Sequence, residues 1–206
     1  PPKHPGAVVS FGLQAIQPAR GFAQRHFKGE AARALFAGMA AHAIMPLENP
    51  ITASFGLMML MMGHRGGWPL ARGGSQRISK AMIDYLGSLG GEIVTGRMVN
   101  SLDELPTAGA VLLHTSPRGL LQIAGGRLPA GYRRQLERYR YGPAVCKVDY
   151  ALDGPIPWDN PDCARAATVH LGGTLDEIAA LERATWHGEH PERPFVILAR
   201  SEEHTV

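Results

Sequence analysis

The chain has 206 residues, 21 Lys and Arg against 18 Asp and Glu, and a formal charge of +3, with 45% apolar and 19% charged residues. This balance excludes a disordered tail. Two cysteines, Cys146 and Cys163, are too few to staple a fold of this size. Arg133, Arg134, Arg138 and Arg140 share one segment but form no dense basic stripe, so a nucleic-acid module is not expected.

The first residues, Pro1-Pro2-Lys3-His4-Pro5, lack the basic start and apolar core of a signal peptide, and both ends read as cut rather than finished. Residues 10–47 read as helical. From Glu30 to Met45, Ala31, Ala34, Leu35, Gly38, Met39, His42 and Met45 recur at helical spacing, and Pro46 ends the run. A second helix is predicted from Asn49-Pro50, Asn49 capping its free amides and Pro50 fitting the first turn. Its body, Ile51 to Met62, is apolar nearly all round and so is expected to be buried or to line an apolar cavity. The stretch is too short for a bilayer span, which needs roughly 20 apolar residues. Met39, Met45, Met58, Met59, Met61 and Met62 fall in these two helices. They read either as core filling or as a wall that adapts to a long, flexible apolar ligand.

Gly66-Gly67-Trp68-Pro69 and Arg72-Gly73-Gly74-Ser75 mark a loop. Ile78, Ala81, Met82, Tyr85, Leu86 and Leu89 then mark a helix that Gly90-Gly91 closes. Strands are predicted at Glu92 to Thr95, at Val99 to Leu102 and at Ala110 to Thr115, the last as a run buried on both faces. Helical pieces follow at Arg118 to Ile123 and Gly131 to Arg140. Val145 to Leu152 alternates as a strand, with Cys146, Val148, Tyr150 and Leu152 on its apolar face and Cys146 expected as a small buried hydrophobe. Thr168 to Leu171 and Phe195 to Ala199 read as further strands. Thr174 and Glu177 form a capping box for a helix running to about Trp186. Together these give an α/β (α+β mixed) class, with an antiparallel or mixed sheet and helices on one side.

The search for chemistry is mostly negative. No Gly-x-Gly-x-x-Gly follows a strand, and phosphate-loop, His-Glu-x-x-His and Gly-x-Ser-x-Gly motifs are all missing, as is zinc spacing for the cysteines. His42 and His170 read as packed, hydrogen-bonded histidines, and Trp158 as a staple between a turn and the sheet. No metal is expected.

One resemblance goes further. Gly67-Trp68-Pro69-Leu70-Ala71-Arg72-Gly73-Gly74-Ser75-Gln76, Gly90-Gly91-Glu92-Ile93 and Ala110 to Arg118 resemble the middle of phytoene desaturase-like, FAD-dependent oxidoreductases of the amine oxidase and glutathione-reductase-like superfamily. Tyr141-Gly142-Pro143, Lys147 to Trp158 and Thr168 to Thr174 are similar to one branch of that group. The resemblance implies an internal fragment: 1–65 as the helical part of a substrate domain, 66–118 as part of the FAD domain, and 119–206 as the substrate-domain sheet with its helices. It implies that Arg72, Gly73, Gly74, Val99, Thr115, Ser116 and Pro117 approach FAD, and that Phe55, Met58 and Met59 roof an apolar, isoprenoid-like substrate. Hydride would pass to FAD. No catalytic residue is named, because the flavin supplies the redox chemistry. The family's amino-terminal dinucleotide-binding motif is missing, so FAD is expected to bind this chain weakly or not at all and the fragment alone to be inactive. A non-catalytic module binding an apolar ligand or protein is the rival reading, and an amine-oxidase-like enzyme the third. A cytoplasmic location, with peripheral membrane contact left open, and self-association through uncovered apolar faces complete the expectations.

Overall fold

A computed structural model describes residues 3–200. Eight α-helices and two strands follow in the order α1 (Pro5–Ala15), α2 (Ala19–His26), α3 (Glu30–Ala40), α4 (Thr52–Gly66), α5 (Gln76–Ser88), α6 (Pro117–Ala124), α7 (Ala130–Glu137), β1 (Thr168–Leu171), α8 (Leu175–Trp186) and β2 (Val196–Ala199) among the described residues. Helix takes 51% of the chain and strand 4%, so the mixed class leans heavily on helices rather than on a sheet. The chain divides into two compact units. One contains the chain up to Lys80 together with the chain from Gly142 onward, and the other is Ala81–Tyr141.

The first unit holds the core. Phe22, Phe36, Leu47, Ala53, Leu175 and Ile178 are buried there, with alanines 19, 23, 37, 40, 41 and 179 between them. The alanines let helix axes approach, and the Phe36 ring fills the space this leaves. It stacks on Phe22 at 5.0 Å between centroids and meets Phe27 at 5.5 Å. Gly56 of α4 is the point of closest approach: a Cβ there would lie 2.8 Å from the Phe36 ring.

The start of α4 corrects the predicted cap. Ile51 sits at φ +67° and no side chain caps the helix. Instead the Ile51 and Ala53 amides donate to the carbonyls of Ile16 and Gln17 at 2.9 and 3.1 Å. Buried Thr52 accepts the Ala19 amide at 2.8 Å, and its own proton points to the Asn49 carbonyl at 2.8 Å. Distant carbonyls thus replace the local Asn49 cap at the start of α4, while the Thr52 hydroxyl serves the first amide of α2. The Glu30–Met45 helix is also shorter than predicted. It gives way to a 3₁₀ turn, Ala41–Ala43, and then to Ile44 at φ +51°.

β1 and β2 pair antiparallel, Thr168 opposite Ala199 and Leu171 opposite Val196. Thr174 and Glu177 make both bonds of the capping box that opens α8. Leu175, Ile178 and Ala179 then face the core.

The strands expected at 92–95, 99–102, 110–115 and 145–152 do not form; these segments take no regular strand structure, and a 3₁₀ turn occupies Leu102–Glu104. A strand completes its backbone hydrogen bonds only on a neighbour, and among the described residues these runs have none. Cys146 is accordingly exposed rather than buried. α4 is also less buried than its composition implies, since Thr52, Ala53 and Gly56 are its buried residues while Met58, Met61 and Met62 face outward.

In the second unit Ala124 is the one buried residue among those described. The unit is held by polar ties: the Ser101 cap on the 3₁₀ turn, the Ser116 cap on α6, the Arg127–Asp103 ion pair, and Arg118 over the Tyr141 ring at 5.8 Å.

Candidate functional site

The predicted Arg-Gly-Gly run lies in the turn between α4 and α5. Gly73 and Gly74 take φ of +81° and +86°, two successive left-handed conformations that side chains tolerate poorly. The Gly74 amide donates to Ala71 at 3.0 Å, and Gly74 is buried. Upstream, Trp68 folds back onto α4: a Cβ on Gly63 would lie 2.8 Å from the indole Nε1.

This turn borders a concavity of about 330 Å³ lined by Trp68, Leu70, Arg72, Arg165, Ala167 and Arg200. The ends of the β-ladder set two of its arginines. The Arg200 guanidinium donates to the Ala164 carbonyl at 2.7 Å, and its amide donates to Ala167 at 2.9 Å. Arg165 ends the 3₁₀ turn Pro161–Arg165, 3.8 Å from Asp162, an ion-pair distance too long for a hydrogen bond. The lining thus combines guanidinium donors with one indole face.

Two other clusters belong to the same unit. His42 and His170 meet Nε2 to Nε2 at 3.3 Å, with Phe195 5.5 Å from the His170 ring. One ring must donate and the other accept, so at least one is neutral. Burial lowers the pKa of both, and the neighbouring His42 charge lowers that of His170 further. A Cβ on Gly38 would stand 3.3 Å from His170 Nδ1, which places the imidazole tightly against α3. The second cluster is ionic. Glu48 Oε1 takes both Arg20, at 3.1 Å, and Arg183, while Arg20 also reaches Asp176 at 2.7 Å. The Asp176 hydrogen bond, followed by that to Glu48, outweighs burial and raises the Arg20 pKa. These pairs join α2 and α8 across the segment at Glu48. They are structural.

The residues predicted for FAD fall in both units. Arg72, Gly73 and Gly74 lie in the first, where Arg72 lines the concavity; Val99, Thr115, Ser116 and Pro117 lie in the second. Ser116 caps α6, accepting the Gly119 amide at 3.1 Å, and the Thr115 hydroxyl lies against Gly119, so both side chains are engaged locally. The Tyr141 hydroxyl interacts with Ser116 and accepts the Arg118 amide at 3.3 Å, and both contacts lower its pKa. Val99 is half-buried on no ladder. The α6 cap is thus internally satisfied, and no strand forms at Val99 or at 110–115.

Phe55, Met58 and Met59, predicted for the substrate, all sit on α4, the helix against which Trp68 packs. Trp158 is half-buried, its amide bonded to the Ile156 carbonyl at 2.9 Å. Sequence reasoning did not find Arg165 or Arg200. Neither sits in a motif; they come to one end of the ladder because Thr168 pairs with Ala199. It named His42 and His170 separately but not as a pair, since they stand 128 positions apart.

Among the described residues, no group of three His, Cys, Asp or Glu is arranged to hold a metal ion, and no helix is long and apolar enough to cross a membrane. No protein-family model, no curated protein and no solved structure matches the chain.

Proposed function

We propose that the chain is part of a flavin-dependent oxidoreductase of the phytoene desaturase-like kind, acting on an apolar substrate. It would combine substrate-domain elements with a piece of the FAD-binding region. The observation that carries this reading is the Arg72-Gly73-Gly74 turn: two consecutive glycines hold left-handed backbone that a side chain would strain, and Arg72 beside them lines a concavity after a methionine-bearing helix. The engaged Ser116 cap and the missing ladder support the companion reading, that this chain by itself holds FAD weakly or not at all and is inactive. In the cell it would be cytoplasmic, in contact with a membrane surface at most peripherally.

Titration of the purified chain with FAD, followed by backbone amide shifts, tests the proposal. Weak shifts centred on residues 71–75, without stoichiometric retention of flavin, are expected. A tightly retained flavin spectrum would overturn the weak-binding reading, and shifts that avoid residues 71–75 would overturn the assignment of the turn.

A second reading has its own support. Met58, Met61 and Met62 are exposed on α4, which suits a module that binds an apolar ligand or protein without a cofactor. Binding of a long-chain ligand together with complete indifference to FAD would favour it. Self-association fits both readings, and an amine-oxidase-like enzyme is the third alternative.

A further inference from the structure

His42 and His170 come from parts of the chain that no motif connects. His42 stands in the 3₁₀ turn Ala41–Ala43, which Ile44 closes in the left-handed conformation just after α3. His170 stands on β1 opposite Ile197, its ring T-shaped against Phe195 at 5.5 Å. Gly38 leaves room for that ring: a Cβ there would lie 3.3 Å from His170 Nδ1, on the nitrogen that does not face His42. Both side chains are half-buried, so the pair is held by packed elements yet still reached by solvent.

The distance between the two facing nitrogens identifies what they suit. The Nε2 atoms are 3.3 Å apart, longer than the roughly 2.7–3.2 Å of an N–H hydrogen bond to oxygen. The ring centroids are 5.0 Å apart and the planes are inclined at 47°, so the rings meet at an angle rather than in line through a shared proton. Two imidazole nitrogens on one tetrahedral zinc ion, each at about 2.0–2.1 Å, stand about 3.3–3.4 Å from each other. The right-angled bite of a square-planar copper(II) site would bring them to about 2.8–3.0 Å.

We infer that His42 and His170 bind one zinc ion through their Nε2 atoms, in a site whose two remaining positions are open. The step releases no proton: the ring whose Nε2 donates carries its hydrogen on Nδ1 instead, and both Nε2 lone pairs then face the metal. Among the described residues no third His, Cys, Asp or Glu is arranged to join them. Water therefore completes the tetrahedron, and a carboxylate or another oxygen donor from outside the chain can displace it. Half the ligands of a closed structural site give a dissociation constant on the order of 1–100 μM. Zinc there ties β1 to the turn that follows α3. The inference stands apart from the oxidoreductase reading, and its test uses no flavin.

The whole chain, freed of metal by chelation, is titrated with zinc chloride. Calorimetry should show one zinc ion bound per chain in that range. Proton–nitrogen correlation spectra of the histidine rings should show the Nε2 atoms of His42 and His170 shifting together, with Nδ1 protonated in both. His42→Gln and His170→Gln should each lose at least tenfold in affinity, and zinc should raise the melting temperature of the natural chain but of neither variant. His187 and His190 are exposed histidines three positions apart, so His187→Gln/His190→Gln is the control and should bind zinc as the natural chain does. The ring spectra need no variant, so they decide the question even where a substitution prevents folding. Ring shifts confined to histidines other than 42 and 170, full affinity in either single variant, or a dissociation constant above about 1 mM would each overturn the inference.

Discussion

The helical centre and the irregular runs at 92–115 and 145–152 are similarly apolar in sequence, yet they end up at opposite extremes of exposure. Phe36 is 1% exposed and Leu47 fully buried, whereas Leu112 is 95%, Val145 81% and Tyr150 79% exposed. The difference lies in where each kind of segment finds its hydrogen bonds. A helix satisfies its backbone internally, so its apolar stripe needs only another helix beside it. A strand needs a ladder first and a covering layer second. Among the described residues the first condition is met only where Thr168–Leu171 finds Val196–Ala199. Apolar composition states what should be covered, not what is available to cover it.

The comparison breaks most visibly if the centre proves dispensable. Phe36→Ala removes a ring that stacks on Phe22 and fills the gap opposite Gly56. Cavity formation of this kind costs about 3–5 kcal/mol. Urea unfolding followed by circular dichroism should show that loss in the transition of the first unit. A cost below about 1 kcal/mol would mean that the centre is loosely packed and differs little from the exposed runs.

The same contrast governs what the sequence discloses. The Thr174–Glu177 capping box and the strand Thr168–Leu171 appear where predicted, because both patterns are written within a few residues. α5 and the left-handed Gly90 after it are equally local. The start of α4 is not, since Ile16 and Gln17 supply the acceptors that Asn49 was expected to supply. Within the candidate site, the turn at Arg72-Gly73-Gly74 is legible from its glycines. Arg165 and Arg200 are not, because what joins them to Arg72 is the fold around the β-ladder. Tertiary proximity has no sequence period.

A second, smaller effect sharpens the comparison by asking how apolar the centre is. Glu182 stands four positions after the core residue Ile178, on the inward side of α8, and burial pushes its pKa up to about 7. Between pH 7 and the ordinary carboxylate range the folded chain holds a proton that the unfolded chain has released. This contribution therefore raises stability as pH falls through that window. His42 and His170 act oppositely. Their lowered pKa values keep them neutral when folded, so stability falls as pH drops below about 6.5, where the unfolded imidazoles take up protons. Glu182→Gln should stabilise the protein at pH 8 by about 1–2 kcal/mol, after discounting for partial exposure. The gain should vanish near pH 4.5, and the variant should show the histidine decline unmasked. An equal gain at both pH values would assign the effect to packing.

The smallest expected effect is the most discriminating. If the irregular runs are uncovered, their large side chains contribute almost nothing to folding. Leu112→Ser and Tyr150→Ser should each change the unfolding free energy by no more than about 0.5 kcal/mol, as surface substitutions do. Both should reduce association, because exposed apolar side chains are the contacts through which copies of the chain adhere. Light scattering over a range of concentration reads the second quantity independently of the first. A loss of stability above about 1.5 kcal/mol that grows with protein concentration would show that self-association already buries the runs. The same loss independent of concentration would mean that they are covered within the chain. Unchanged stability with a cleaner monomer would instead leave the two regions as the structure has them: a centre closed by helices, and apolar segments whose ladder has no second strand.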